Sequence, residues 1–125
     1  MTRAREQPGA SRDTFTRGRA VEHIAYRLLL SKGYHAVLCA GMTTPFDLVA
    51  WRCSGQHLLV KAERSRRPIH NLAEVMAHYR GDIDALRAIA LPPFAQRQLW
   101  VWHLYAGWRF FDIMAGGISE VADNV

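Results

Sequence analysis

The sequence predicts an α/β domain: one mixed β-sheet flanked by helices, in the order α-β-β-β-α-β-β. Three observations lead there. Val21, Ile24, Ala25, Leu28 and Leu29 recur at helical spacing near the start. Three short apolar runs at 34–40, 45–51 and 57–63 then read as strands. A second helical stripe separates them from two aromatic-rich runs, 98–105 and 108–113. A chain of 125 residues, half of them hydrophobic and 22% charged, suits one such domain with a single core.

Each element has a local reason. Residues 1–15 hold Pro8, Gly9 and Ser11 among charges, without apolar periodicity, and are expected to form a basic flexible arm. The domain is expected to span 16–115, opening with a helix over 16–32. Gly33 can take the left-handed conformation that ends a helix, and Lys32 complements the negative end of its dipole. The first strand follows, then a loop at 41–44. Two further strands, 45–51 and 57–63, are joined by Arg52-Cys53-Ser54-Gly55-Gln56. Pro45 is tolerated at a strand entrance, where no ladder donor is needed.

After Pro68, Asn71 is a good helix cap, with Glu74 three residues on to complete a capping box. Leu72, Val75, Met76, Tyr79, Ile83, Leu86 and Ile89 continue the stripe, with a kink or split expected at Gly81. Pro92-Pro93 ends it. The last two strands form a hairpin turning at Ala106-Gly107. Residues 116–125 are expected to fray.

Composition narrows the function classes. No apolar run reaches the roughly 20 residues a membrane helix needs. The start of the chain is polar and basic, without the apolar core of a signal peptide, so the expected location is cytoplasmic. Cys39 and Cys53 are expected as free thiols. The six histidines lack the spacing of a zinc set. Neither a glycine-rich phosphate loop nor a serine nucleophile elbow is present.

Two charged residues stand out. Strand side chains alternate between faces, so Asp47 shares a face with Val49 and Trp51, and Lys61 shares one with Leu59 and Glu63. A carboxylate and an ammonium inside apolar strands are costly unless paired or used. Basic residues lie nearby. The net charge is +5, and residues 1–20 carry five arginines, Arg17 and Arg19 among them, against Glu6 and Asp13. Arg64, Arg66 and Arg67 directly follow the third strand. Such placement suits a phosphate-backbone partner.

Over roughly residues 17–113 the chain resembles the PD-(D/E)xK nuclease superfamily, and within it archaeal-type Holliday junction resolvases and other restriction-endonuclease-like proteins. The matching residues are Gly18 through Glu22, Gly33-Tyr34, Pro45-Phe46-Asp47 before Leu48-Val49-Ala50, Leu58-Leu59-Val60-Lys61, and the closing Leu99-Trp100 and Trp108-Arg109. The resemblance implies a restriction-endonuclease-like sheet and magnesium-dependent cleavage of DNA, branched DNA included, by a homodimer. It assigns Asp47 as metal ligand, Lys61 as the residue that assists the attacking water, and Glu22 as the helical glutamate of the metal shell. Arg64, Arg66, Arg67, Arg17 and Arg19 would hold phosphates.

One position departs from the pattern. The second carboxylate belongs at 59, where this chain has Leu59. A leucine offers magnesium no oxygen ligand. Three readings follow: a nuclease-like DNA-binding protein with weakened or lost catalysis, an active endonuclease using a relocated carboxylate such as Glu63, or a structural or protein-interaction module. Glu63 lies about 13 Å from position 59 by strand rise, which argues against simple replacement.

Overall fold

The computed structural model describes the backbone of residues 9–39 and 43–122, with side chains from residue 20 onward within those ranges. Helix α1 (Gly9–Ser31) leads into β1 (His35–Leu38), β2 (Leu48–Trp51) and β3 (His57–Arg64). Two short helices follow, α2 (Leu72–His78) and α3 (Arg80–Arg87). The chain continues through β4 (Ala95–His103), β5 (Gly107–Met114) and β6 (Gly117–Val121). The strands form one sheet in sequential order. Only β3 and β4 run parallel, because α2 and α3 carry the chain back between them.

Strand alternation sorts the core into two layers. On one face Leu48, Ala50, Leu58, Val60, Ala62, Trp100 and Phe110 pack against Val21, Ala25 and Leu29 of α1. On the other, Leu99, Val101, Phe111 and Ile113 meet Val75, Tyr79, Ile83 and Leu86 of α2 and α3. Full burial of each large apolar side chain contributes about 1.5–3 kcal/mol before entropy is counted. The α1 exit is built as its sequence suggests: Gly33 has φ +88°, and its N–H donates to Leu30 O.

One polar chain crosses this apolar interior. Trp100 Nε1 donates to Gln98 Oε1 at 2.8 Å, and Gln98 Nε2 donates to Asp112 Oδ1 at 2.9 Å. Gln98 is buried, and Asp112 is its direct partner across β4 and β5.

The structure departs from expectation in four places. Helix α1 begins at Gly9 rather than 16, taking in residues 9–15 of the expected arm. Those turns carry no apolar stripe, so periodicity could not reveal them. Arm residues 1–8 lie outside the described residues. The second helical segment divides at Tyr79, whose ψ of 26° caps α2, and not at Gly81, which sits inside α3. The division leaves Met76 and Leu72 exposed although both fall on the stripe.

The fourth departure is the tail. Residues 117–121 are a sixth strand paired to β5 instead of frayed. Ile118 and Val121 pack on the core, and Arg109 adds a grip on Glu120 through Nε–Oε2 at 2.8 Å and Nη2–Oε1 at 2.7 Å. Arg87 adds to it by donating to Met114 O and Gly117 O, which ties the β5–β6 turn to α3.

Asn71 caps α2 as the sequence suggests, its Oδ1 accepting from Glu74 N at 2.9 Å. Asn71→Ala is expected to lower stability by about 1 kcal/mol. Urea denaturation should show a lower midpoint with an unchanged slope.

Candidate functional site

Asp47 is held before its side chain does anything. Its backbone N–H donates to Val60 O and its carbonyl accepts from Cys39 N, both at 2.8 Å. The residue is thereby fixed at the mouth of β2, between β1 and β3. Its Oδ2 accepts from Ala62 N at 2.9 Å. That bond aims the carboxylate across β3, where Lys61 Nζ lies 3.5 Å from the same oxygen.

Lys61 also reaches along its own strand. Its Nζ is 3.6 Å from Glu63 Oε2. Asp47, Lys61 and Glu63 therefore meet through one ammonium group, and all three side chains are largely covered. Burial by itself would lower the Lys61 pKa. The charges of Asp47, Glu63 and Asp82, with the contact to Asp47, outweigh burial and raise it.

Asp82 is a residue that the sequence did not signal. An acid in the first turn of α3 reads as a partner of the helix dipole. Here its carboxyl hydrogen-bonds to Glu63 across the gap between α3 and β3. The Glu63 pKa is pushed up to about 8, first by burial, then by Asp82 through both hydrogen bond and charge, with a smaller push from Asp47. Lys61 opposes the shift without cancelling it. These surroundings favour the protonated form of Glu63.

Tyr79, buried at the α2–α3 division, is the second unsignalled member. Its Oη is enclosed and makes no hydrogen bond of good geometry. Burial raises its pKa and the charges of Glu63 and Asp82 add to that, against a lowering by neighbouring Ser65.

The remaining candidates are placed as follows. Glu22 is half-buried on α1, and its charge raises the Cys39 thiol pKa, behind burial and Asp47. One thiol therefore senses both carboxylates. Arg64, Arg66 and Arg67 are exposed at the end of β3 and in the loop beyond it. The side chains of Arg17 and Arg19 lie outside the described residues. Leu59 sits on the Lys61 face of β3, opposite Val49 and beside Arg97 of β4. Trp51 and Val37 of the same face remain exposed, with His35 stacked on Trp51 at 5.7 Å.

These donors do not fit a catalytic metal. Position 59 supplies no oxygen, and the Lys61 ammonium lies within 4 Å of both Asp47 Oδ2 and Glu63 Oε2. Among the described residues, no three His, Cys, Asp or Glu side chains converge as a metal would require.

Comparison with solved structures places the architecture. The chain superimposes on Hjc, a Holliday junction resolvase from the archaeal hyperthermophile Archaeoglobus fulgidus, with a TM-score of 0.58 and 21% identity. The match covers 78% of this chain and 73% of that one. The fold is restriction-endonuclease-like. The three strands, helical crossover and closing hairpin agree with the expectation from the sequence, to which the structure adds β6. No protein-family model and no curated protein sequence matches the chain. Among the described residues no helix is long and apolar enough to cross a membrane.

The Glu63 proton gives stability a pH dependence. The unfolded carboxyl releases its proton near 4.5, the folded one near 8. Between those values the folded state binds more protons, so stability falls as pH rises through that window. Glu63→Gln keeps a hydrogen-bonding group without the ionisation. The variant should match the parent at pH 4.5 and melt higher above pH 8, by on the order of 4 °C for each kcal/mol relieved. Thermal melts across that range check it.

Proposed function

We propose that this protein is a nuclease-fold DNA-binding protein whose metal-dependent cleavage is weakened or lost. The observation that carries the reading is Leu59. It stands on the Lys61 face of β3, where the resemblance requires a carboxylate, while Lys61 Nζ lies 3.5 Å from Asp47 and 3.6 Å from Glu63. The fold likeness to a Holliday junction resolvase supports DNA, branched DNA included, as the partner. The exposed Arg64, Arg66 and Arg67 support it independently. Their side chains have no carboxylate partner among the described residues. Phosphates would be held there through charge-assisted hydrogen bonds.

The arrangement of Asp47 and Lys61 has a use without catalysis. It keeps a paired, nearly neutral patch beside a basic one, so a phosphate backbone can pass without meeting unbalanced carboxylates. Fluorescence anisotropy with four-way junction and linear duplex probes tests the reading. Binding should weaken steeply between about 50 and 200 mM salt. Replacing Arg64, Arg66 and Arg67 together with alanine should reduce the log–log salt slope by about 2–3. An unchanged slope would count against a phosphate role for this loop. The homodimer that the resemblance implies is tested on the same samples by sedimentation.

A second reading is favoured by one contact. Glu63 reaches Lys61, although strand rise alone put it far from position 59. In this reading Glu63 serves as the relocated carboxylate of an active magnesium-dependent endonuclease. The two readings separate on cleavage of junction DNA with magnesium or manganese. The first predicts no cleavage by the parent chain and a gain in Leu59→Glu, which restores the missing oxygen ligand at a half-exposed position. The second predicts cleavage by the parent chain that is lost in both Asp47→Ala and Glu63→Ala.

A further inference from the structure

The end of β3 carries a feature that the Asp47–Lys61–Glu63 cluster does not use. Arg64, Ser65 and Arg66 on one side, and His103, Leu104 and Tyr105 on the other, line a cleft of about 380 Å³. That is near the lower end of the range for small-ligand pockets, about 300–1,000 Å³, so it has room for one compact group. Its two walls are joined by backbone, Ser65 N donating to Trp102 O at 2.8 Å. The cleft floor is therefore a continuation of the parallel β3–β4 pairing.

The wall from the β4–β5 turn is fixed in shape. His103 Nδ1 accepts from Tyr105 N at 3.3 Å and from Ala106 N at 3.0 Å. With Nδ1 accepting, the ring's donor position is Nε2. Gly107, with φ +83°, completes the turn. The result is an aromatic ring held almost wholly in solvent: Tyr105 is 90% exposed, and Leu104 beside it is 58% exposed. Folding gains little from apolar groups left in water. Arg64 and Arg66 make no side-chain ion pair or hydrogen bond among the described residues, and no acidic side chain lines the cleft.

We propose that this cleft binds one unpaired nucleotide of DNA, its base against Tyr105 and Leu104 and its phosphate on Arg64 and Arg66. The proposal rests on the DNA-binding reading above and adds the substrate class. A guanidinium pair suits a phosphate, which it can grip with parallel hydrogen bonds. An exposed aromatic ring suits a base, and it can reach the face of a base only where neighbouring bases do not already cover it. Paired duplex offers the phosphate but not the free base face. Ser65 lies four residues beyond Lys61, roughly 13 Å along a strand. A strand anchored in the cleft would thus run on toward Lys61.

The test compares a blunt duplex with the same duplex bearing a short single-stranded overhang that contains 2-aminopurine. The parent chain should bind the overhang probe about tenfold more tightly, with quenched 2-aminopurine fluorescence. Tyr105→Ala should abolish the preference and the quenching while leaving blunt-duplex affinity unchanged. Tyr105→Phe should retain both, and Arg64→Ala with Arg66→Ala should weaken binding of both probes. The exposure of Tyr105 means that its replacement does not disturb the core. Equal binding of the two probes by the parent chain, or an undiminished preference in Tyr105→Ala, overturns the cleft proposal and leaves DNA binding standing. Failure of the parent chain to bind either probe overturns both.

Discussion

One ammonium group holds the centre of this protein in balance. Lys61 Nζ lies within 4 Å of carboxylates on two different stretches of chain, Asp47 at the mouth of β2 and Glu63 further along β3. A half-buried carboxylate is costly without a counter-charge, and two beside each other are costlier. Lys61 faces both, and Asp82 on α3 adds to burial in raising the Glu63 pKa. Helix α3 itself is packed on the sheet through Ile83 and Leu86. Removing Lys61 would leave Asp47 facing Ala62 N alone, with its negative charge otherwise uncompensated.

The same balance bears on chemistry. A hydrolytic centre of this fold needs oxygen ligands free to take a metal. In this chain Asp47 Oδ2 is engaged by the Ala62 amide and the Lys61 ammonium, and Glu63 Oε2 lies beside the same ammonium. Position 59 adds a leucine to that strand face instead of an oxygen.

Much of this was legible in the residues. The alternation of Leu58, Val60 and Ala62 against Leu59, Lys61 and Glu63 correctly assigned the two faces of β3, because period-two patterning leaves little choice when one face is buried. Asp47 and Lys61 could be paired for the same reason. Asp82 could not, since its partner is fixed by how α3 crosses the sheet, and no spacing in the chain encodes that crossing. The contact of Glu63 with Lys61 follows from their shared face, two residues apart on β3. The start of α1 and strand β6 were missed for a simpler reason. The first is polar, and the second is held by its ladder with β5 and by Ile118 and Val121 packing on the core, with Arg87 reaching in from α3.

The buried line from Trp100 through Gln98 to Asp112 has a consequence for how the chain chooses its pairing. Aromatic and aliphatic side chains on β4 and β5 would tolerate sliding, since one apolar contact substitutes for another. The hydrogen bonds do not slide. Shifting β5 by one residue would carry Asp112 to the opposite face, leaving the buried Gln98 amide without its acceptor. A single polar thread therefore acts as the key to alignment in a hairpin whose greasy surfaces would otherwise accept several.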